Sequence, residues 1–377
     1  MTEMPFIPVC EPKFDGNERA YLNECIDTGW VSSEGPFVRR LEDAFSASCN
    51  RKHCSAVSSG TAALDIAIAA LDLQPGDEVI LPTFTIISCA QAVVRAGATP
   101  VLVDVNAKTL TMDVAMVAER ITQHTRAIMV VHLYGLPADM DPLMELARKH
   151  DLRVIEDAAE MHGQTYKGQP CGSFGDVSIF SLYANKFVTA GEGGLVLTNN
   201  DELAQHGQKL KNLCFEPGKR FVHEELGWNY RMTNLQAAVA LAQFERLGET
   251  VAFKREVGRK YNQQLADITG LKLPPQSCDY AESVYWIYGL ELDDELPIDG
   301  EAFSKLLAAK GIGTRPYFWP MHEQPVFQDK GLFAGEQYPV SERLARRGIY
   351  IPNGMGVTDE QIDRVCRAIK DVMAAHS

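Results

Sequence analysis

No stretch of the sequence stays apolar over the roughly 18 residues that a membrane-crossing helix needs, so a transmembrane protein is not expected. The opening Met1-Thr2-Glu3-Met4-Pro5 has neither a basic patch nor an apolar core, and a secretory signal is not expected. None of the nine cysteines forms a Cys-x-x-Cys pair, and none of the nine histidines stands in a His-Glu-x-x-His spacing. The first absence points to reduced thiols and a cytoplasmic protein; the second leaves a metal site without support. Basic charge is also short. Lys and Arg total 36 against 50 Asp and Glu, a net charge of −14, which argues against a nucleic-acid or anionic-membrane binder because both need a basic face. A local anion site stays open, since backbone amides can build one. Internal repeats and low-complexity linkers are missing as well. What is present is an ordinary globular composition, 46% hydrophobic and 23% charged over 377 residues, long enough for two domains.

The first two thirds alternate two patterns. Leu41 to Ser48, Thr61 to Leu71, Gln91 to Ala96 and Met140 to His150 read as helices. Between and after them, Glu78 to Pro82, Thr99 to Asp104, Ala127 to Leu133, Arg153 to Asp157, Val177 to Ser181 and Gly194 to Thr198 are short, nearly continuous apolar runs that read as buried strands. The alternation predicts an α/β domain with a mostly parallel sheet, in which ligands sit outside the carboxyl ends of the strands. After Asn234 the pattern changes to a long helical stretch, Gln236 to Arg259. An apparent strand Val284 to Leu290, a helix Gly300 to Lys310, a strand Ile312 to Arg315 and a terminal helix Thr358 to Ala374 follow. The expected division is a large domain over 1–250 and a smaller α+β domain over 251–377, with a long helix bridging them.

Three segments at or beyond strand ends carry chemistry. In Ser181-Leu182-Tyr183-Ala184-Asn185-Lys186, running on to Gly191-Glu192-Gly193-Gly194, a lysine lies just past a buried strand. Such a lysine can bond to a carbonyl cofactor, and burial would lower its pKa and free the amine. Its plain alternative is a solvated loop lysine before a hairpin turn. Asp157 ends a strand that should be buried, where a carboxylate needs a partner; a cofactor's pyridine nitrogen would serve, and so would the amides of a following helix. Ser58-Ser59-Gly60-Thr61 precedes an alanine-rich helix whose free amides suit a phosphate, or the serine is an ordinary cap. Taken in order, a phosphate cradle, a strand-end Asp and a strand-end Lys are what a pyridoxal phosphate enzyme must provide.

On these segments the chain resembles the DegT/DnrJ/StrS family of pyridoxal-phosphate sugar aminotransferases. The resemblance extends through Gly29 to Gly35, Pro75 to Ile80, Pro82-Thr83-Phe84-Thr85, His132-Leu133-Tyr134-Gly135, Asn229 to Asn234 and Thr314-Arg315-Pro316. It implies a fold-type I aminotransferase that takes the amino group of L-glutamate through pyridoxal 5'-phosphate, with pyridoxamine 5'-phosphate between the half-reactions, and gives it to a keto sugar. By position, Lys186 would carry the cofactor and move the proton, Asp157 would meet the pyridine nitrogen and Glu160 the 3-hydroxyl. Gly60, Thr61 and Ser181 would bind the phosphate, and Ile86 would pack on the ring. Asn229 would reach the phosphate site of a neighbouring subunit, making the active unit a homodimer with shared sites. Trp30, Ser32, Arg315, Tyr317 and His322 would lie toward the sugar or nucleotide. Within the family, Asn185-Lys186, His132 to Gly135, Asn229 to Asn234 and Arg315 to His322 are most similar to GDP-perosamine synthases. That implies GDP-4-keto-6-deoxy-mannose as acceptor and surface-polysaccharide (O-antigen) synthesis as the setting.

The chain also departs from the pattern. Ile86 stands where many members have an aromatic residue, and Leu182-Tyr183-Ala184 replaces a Phe-Phe-Gly-type run before the Asn-Lys pair. These changes leave open a different carbonyl acceptor: another nucleotide keto sugar, a sugar acid or a small phosphorylated sugar. A dehydratase on the same scaffold would carry histidine in place of Lys186, and a non-catalytic relative would not need the Lys186–Asp157 pair. Of the remaining conspicuous residues, His132 and His162 read as satisfied structural histidines. Trp30, Trp228, Trp286 and Trp319 read as packing residues, and Arg343, Arg346 and Arg347 as a solvated helix face. Lys219-Arg220 reads as a surface loop.

Overall fold

The computed structural model describes residues 5–216, 218 and 221–376. Met1 to Met4 and Lys219-Arg220 lie outside them. The six apolar runs, joined by a strand the sequence reading did not name, β1 (His53–Val57), form a seven-stranded sheet with β2 (Glu78–Pro82), β3 (Thr99–Val103), β4 (Thr125–Val131), β5 (Arg153–Asp157), β6 (Val177–Ser181) and β7 (Gly194–Thr198). Their order is β1-β7-β6-β5-β4-β2-β3. Pairings from β6 across to β3 are parallel, while β7 runs antiparallel to both β1 and β6. The strands are apolar on both faces because helices cover both. Leu64, Ile66 and Ile68 of helix Gly60–Ala69 pack on one side with Val79, Leu81 and Met129. Met140, Leu143 and Ala147 of helix Met140–Lys149 pack on the other with Ile80, Ile128 and Val130.

Register brings the site together. Val131 of β4 stands beside Asp157 of β5, and Asp157 beside Ile179 of β6. The segments that follow these strands therefore emerge side by side. Helix Gly60–Ala69 begins at the same edge, capped by Ser59, whose Oγ accepts from the Ala62 amide at 3.1 Å.

The later half differs from expectation in three places. The long helical stretch is two helices, Asn234–Phe244 and Leu247–Leu265. The first opens on a capping box in which Thr233 and Gln236 satisfy each other's backbone amides. The strand expected from Val284 begins only at Tyr288, because Tyr285 has a left-handed backbone (φ 48°) that no strand accommodates. The strand expected over Ile312 to Arg315 shortens to Arg315–Pro316, while Ile312 bridges in parallel to Ile7.

A second, antiparallel sheet contains β8 (Leu271–Lys272), β9 (Tyr288–Leu292), β10 (Arg315–Pro316) and β11 (Gly348–Ile351), in the order β8-β9-β11-β10. Its core holds Leu290, Ile349 and Ile351 with Phe303 and Leu307 of helix Gly300–Ala309 and Ile362, Val365 and Ile369 of helix Asp359–Ala374. Val257, Tyr261 and Leu265 bring helix Leu247–Leu265 into this core, although Leu247 and Val251, about two to three turns earlier, pack against the core of the large sheet. Residue 250 therefore lies inside a helix shared by both cores. Ile7 also joins the second core, its amide bonded to Gly311 O at 2.9 Å.

Candidate active site

A cavity of about 390 Å³ opens beyond the carboxyl ends of β4, β5 and β6. Ser59, Gly60 and Thr61 line one end, Asp157, Ala159 and Glu160 the floor, and Ser181, Tyr183, Asn185 and Lys186 the side. Another cavity of about 370 Å³, between helix Asp201–Leu210 and β1, lies away from the carboxyl ends of the parallel strands and holds neither Asp157 nor Lys186.

At the first end, the start of helix Gly60–Ala69 gives the Gly60 and Thr61 amides no partner within the helix. A Cβ built on Gly60 would come within 2.8 Å of Ser181 Cβ, so this approach of helix to strand requires glycine. Thr61 Oγ1 meets Ser88 Oγ at 3.0 Å. The result is a cluster of hydroxyls and free amides at the positive end of a helix dipole.

On the floor, Asp157 is buried, and Oδ1 accepts from the Ala159 amide at 3.0 Å while Oδ2 accepts from Cys89 Sγ at 3.3 Å. Burial pushes its carboxyl pKa up; the Ala159 and Cys89 bonds and the Lys186 charge pull the other way. Among the described residues, Asp157 has no cation within ion-pair distance. Glu160 Oε2 accepts from the Tyr134 amide at 2.7 Å, and Oε1 lies 3.8 Å from Lys186 Nζ.

Lys186 stands on the loop joining β6 to β7, so the lysine loop and the hairpin of the sequence reading are one feature. The loop is closed at its base by Leu182 N donating to Gly193 O at 2.8 Å, and Ala190 N donates to Leu182 O at 2.9 Å. Lys186 is no solvated lysine: its side chain is 10% exposed and Nζ sits 3.8 Å over the Trp286 ring. Burial lowers its pKa, while Glu160 and Asp157 oppose the fall. Burial also raises the Glu160 carboxyl pKa to about 7, so a lowered amine and a raised carboxyl stand 3.8 Å apart.

The donor set fits pyridoxal phosphate. It has amides and hydroxyls at one end for a phosphate, a buried carboxylate across the floor for a ring nitrogen, and a buried amine between them without a hydrogen-bonded partner among the described residues. Ile86, 44% exposed, offers an apolar face over this space.

The other expected site residues lie elsewhere. Trp30, Ser32, Asn229 and Arg315 are exposed and outside this cavity. Trp30 O accepts from Asn234 Nδ2 at 2.6 Å, and Asn229 Oδ1 accepts from Arg231 Nε at 3.0 Å. Tyr317 and His322 do not reach the cavity wall. The Tyr317 ring covers Gly289 and Gly348 of the second sheet and packs on Tyr134 at 4.9 Å. His322 is buried between Thr83 Oγ1 (2.9 Å) and Glu342 Oε1 (3.1 Å). Phe318 faces the cavity in their place, with Trp286, Tyr350 and Tyr134.

Sequence reasoning missed that aromatic wall. Trp286 is more than packing, since it lines the cavity and its Nε1 donates to Asn185 O at 3.1 Å. His132 is satisfied, by Glu156 at 2.9 Å and the Ala138 amide at 3.0 Å. His162 is not: it is buried between Phe45 and Phe180, neither nitrogen has a hydrogen-bond partner among the described residues, and burial lowers its pKa to about 3. The arginine cluster is paired, Arg343 and Arg347 with Asp294 and Arg346 with Glu323. Among the described residues no helix is long and apolar enough to cross a membrane.

Comparison with known proteins agrees with this geometry. Residues 12–370 match the model of the DegT/DnrJ/EryC1/StrS aminotransferase family. GDP-perosamine synthase of Caulobacter vibrioides is 43% identical over 99% of this chain and 100% of its own. That of Vibrio cholerae is 40% identical over 97% and 98%. Among solved structures, DesV of S. venezuelae superposes with a TM-score of 0.90 at 32% identity, covering 98% of this chain and 99% of the other. The PLP-form of the putative sugar aminotransferase Spr1654 from Streptococcus pneumoniae does so with a TM-score of 0.90 at 25% identity, covering 99% of both. With the sheet, the strand-end carboxylate and the loop lysine all in place, the chain belongs to the DegT/DnrJ/EryC1/StrS aminotransferase family and is a pyridoxal phosphate-dependent sugar aminotransferase.

Proposed function

We propose that the chain transfers the amino group of L-glutamate to GDP-4-keto-6-deoxy-mannose, forming GDP-perosamine for surface polysaccharide in the cytoplasm. The observation that carries this reading is near full-length similarity, at 43% and 40% identity, to two enzymes named GDP-perosamine synthase.

Bound pyridoxal phosphate supplies an electron sink and an amino-group carrier. The chain's own residues do the rest. Lys186 would hold the cofactor covalently, and its Nζ would carry the proton taken from or returned to the substrate carbon. Its burial favours the neutral amine this requires, against the Glu160 and Asp157 carboxylates and the Trp286 ring face, which favour the charged form. Asp157 would keep the ring nitrogen protonated, Glu160 would serve the 3-hydroxyl, and Ile86 would pack on the ring. The Gly60 and Thr61 amides and Ser181 would take the phosphate. Lys186 is the one cation among the described residues lining the cavity, so the phosphate charge is left to amides, hydroxyls and a second copy. We propose a homodimer in which Asn229 of each subunit reaches the other's phosphate site, with Trp30, Ser32 and Arg315 toward the nucleotide. We also divide the chain near residue 250 into a large cofactor-binding domain and a smaller one.

The test separates the half-reactions. L-glutamate is added to the holoenzyme, the visible band of the bound cofactor is lost, and excess donor is removed. GDP-4-keto-6-deoxy-mannose then restores the band if the proposal holds. Loss with glutamate and no return would discard this acceptor. The Lys186→Ala protein should do neither.

A second reading, a different carbonyl acceptor, is favoured by Ile86 and Tyr183. Both line the cavity, and they are 44% and 49% exposed there. The same primed enzyme offered other nucleotide keto sugars would reveal it.

A further inference from the structure

Cys89 lies on the first turn of helix Ser88–Arg95, fully buried beneath the cavity. Its sulfur is 3.3 Å from Asp157 Oδ2 and 3.5 Å from Thr85 Oγ1. We propose that Cys89 is a positioning residue for Asp157, the middle link of a hydrogen-bonded chain Thr85–Cys89–Asp157 that fixes the plane of the carboxylate opposite the cofactor's ring nitrogen. The proposal rests on the reading of Asp157 as that nitrogen's partner.

The direction of the chain follows from what each group can donate. An ionised carboxylate only accepts, so the thiol hydrogen points to Oδ2 and the Thr85 hydroxyl donates to sulfur. Burial, with Asp157 and Glu160 nearby, pushes the Cys89 thiol pKa well above its ordinary value, which keeps the hydrogen in place. Asp157 is then held from two sides. Oδ1 takes the Ala159 amide at 3.0 Å from the segment after β5, and Oδ2 takes the thiol from a different helix. With one donor on each oxygen, rotation of the carboxylate breaks a bond, and the remaining lone pairs stay in one plane. Without the thiol, the carboxylate is tethered at Oδ1 alone.

The neighbouring residue makes the arrangement more pointed. Ser88 Oγ lies 3.0 Å from Thr61 Oγ1, at the phosphate end of the same cavity. Two adjacent residues of one helical turn thus address opposite ends of the site, and the helix sets the spacing between them.

The test compares the wild-type holoenzyme with Cys89→Ala, Cys89→Ser and Asp157→Asn. Two quantities are read, the dissociation constant of pyridoxal phosphate and the visible circular dichroism per bound cofactor, which reports ring orientation. Loss of one hydrogen bond to a charged group corresponds to roughly ten-fold or more weaker binding. Cys89→Ala should show that loss together with a reduced dichroic band, and Cys89→Ser, which restores a short donor, should return both to within about two-fold of wild type. Cys89→Ala within two-fold of wild type in both quantities would overturn the proposal. So would equal impairment of the alanine and serine proteins, which would assign the effect to side-chain fit. Should the alanine protein not fold, the serine protein decides: an impaired serine protein overturns the proposal, and wild-type values with the dichroic band retained support it. Asp157→Asn separates the two levels. If it keeps wild-type affinity and dichroism, the reading of Asp157 itself fails; if it loses both while Cys89→Ala does not, only the role of Cys89 fails.

Discussion

Lys254 gives the sharpest test of the electrostatics, because it is a buried cation held without a carboxylate. It lies on helix Leu247–Leu265, 3% exposed, and Nζ donates to the carbonyls of Trp286, at 2.8 Å, and Asn353. Burial lowers its pKa to about 7, against about 10.4 in an unfolded chain. Between these values the unfolded chain binds the proton more tightly, so it carries more protons and stability rises with pH. The cost is fully present below pH 7 and gone above the unfolded value. At about 1.4 kcal/mol per pH unit, the step from pH 7.5 to 9.5 is worth roughly 3 kcal/mol. Lys254→Met keeps the bulk and removes the proton. It also strands two carbonyls, each costing on the order of 1–3 kcal/mol, so its stability at any single pH is a poor guide. The difference between the two proteins' pH dependences is the clean quantity, since titrating groups not coupled to Lys254 cancel; Cys10, which is coupled to it, is replaced by alanine in both proteins. Urea unfolding of both, saturated with cofactor, at the two pH values should show the Lys254 protein gaining about 3 kcal/mol more than the Lys254→Met protein. Parallel pH dependences would mean that Lys254 is hydrated or paired in solution, and would refute the argument.

Gly60→Ala should weaken cofactor binding at least ten-fold and also lower the apoenzyme's thermal midpoint, because the new Cβ would press on Ser181 Cβ at 2.8 Å and push helix from strand; equilibrium titration with pyridoxal phosphate and thermal unfolding of the apoenzyme check it. Glu160→Gln keeps an acceptor for the Tyr134 amide and removes the charge 3.8 Å from Lys186 Nζ. The lysine should then lose its proton at lower pH, and the rate of cofactor attachment to apoenzyme, followed in the visible band, should reach its plateau at lower pH than in wild type. An unmoved midpoint would mean that the carboxylate does not act on the lysine. Asn234→Ala strands the buried Phe37 amide, which donates to Asn234 Oδ1 at 2.8 Å, and releases Trp30 O. It should cost on the order of 1–3 kcal/mol in thermal unfolding and loosen the Trp30 segment to protease.

Six strands of the large sheet were legible because each is a short apolar run that needs both faces covered; β1, which opens on the half-buried His53 and Cys54, carries no such run and was missed. Asp157 and Lys186 were legible for a related reason: a charge at the end of such a run must find a partner in the crevice. Glycine at position 60 followed from the small-residue pattern, and the 2.8 Å approach to Ser181 is its physical cause. The second sheet was harder. The apolar run from Val284 looks like strand throughout, but the left-handed Tyr285 turns the chain before Tyr288, so that Trp286 faces Lys186. That conformation is held by tertiary bonds, among them Asn353 Nδ2 donating to Tyr285 O at 2.9 Å, and no local pattern encodes them. Tyr317 misled for the same reason. Which of two adjacent aromatics faces the cavity depends on the glycines at 289 and 348, both distant in sequence. His162 resembles any core histidine in sequence, and only the identity of its neighbours, Phe45 and Phe180, leaves its nitrogens without bonds.

The antiparallel placing of β7 has a consequence for how such a chain can change over generations. Ser181 and Gly194 are register partners, so the loop carrying Lys186 starts and ends at the same rung of the sheet. Its ends are closed whatever lies between them, and lengthening a closed loop is cheap, about 0.6 kcal/mol for each doubling. Exposed Tyr183 can therefore change while buried Leu182 keeps the loop's base and Asp157 stays fixed one strand away. Because Tyr183 lines the cavity, the acceptor side can vary at that position without moving Lys186 or the carboxylate.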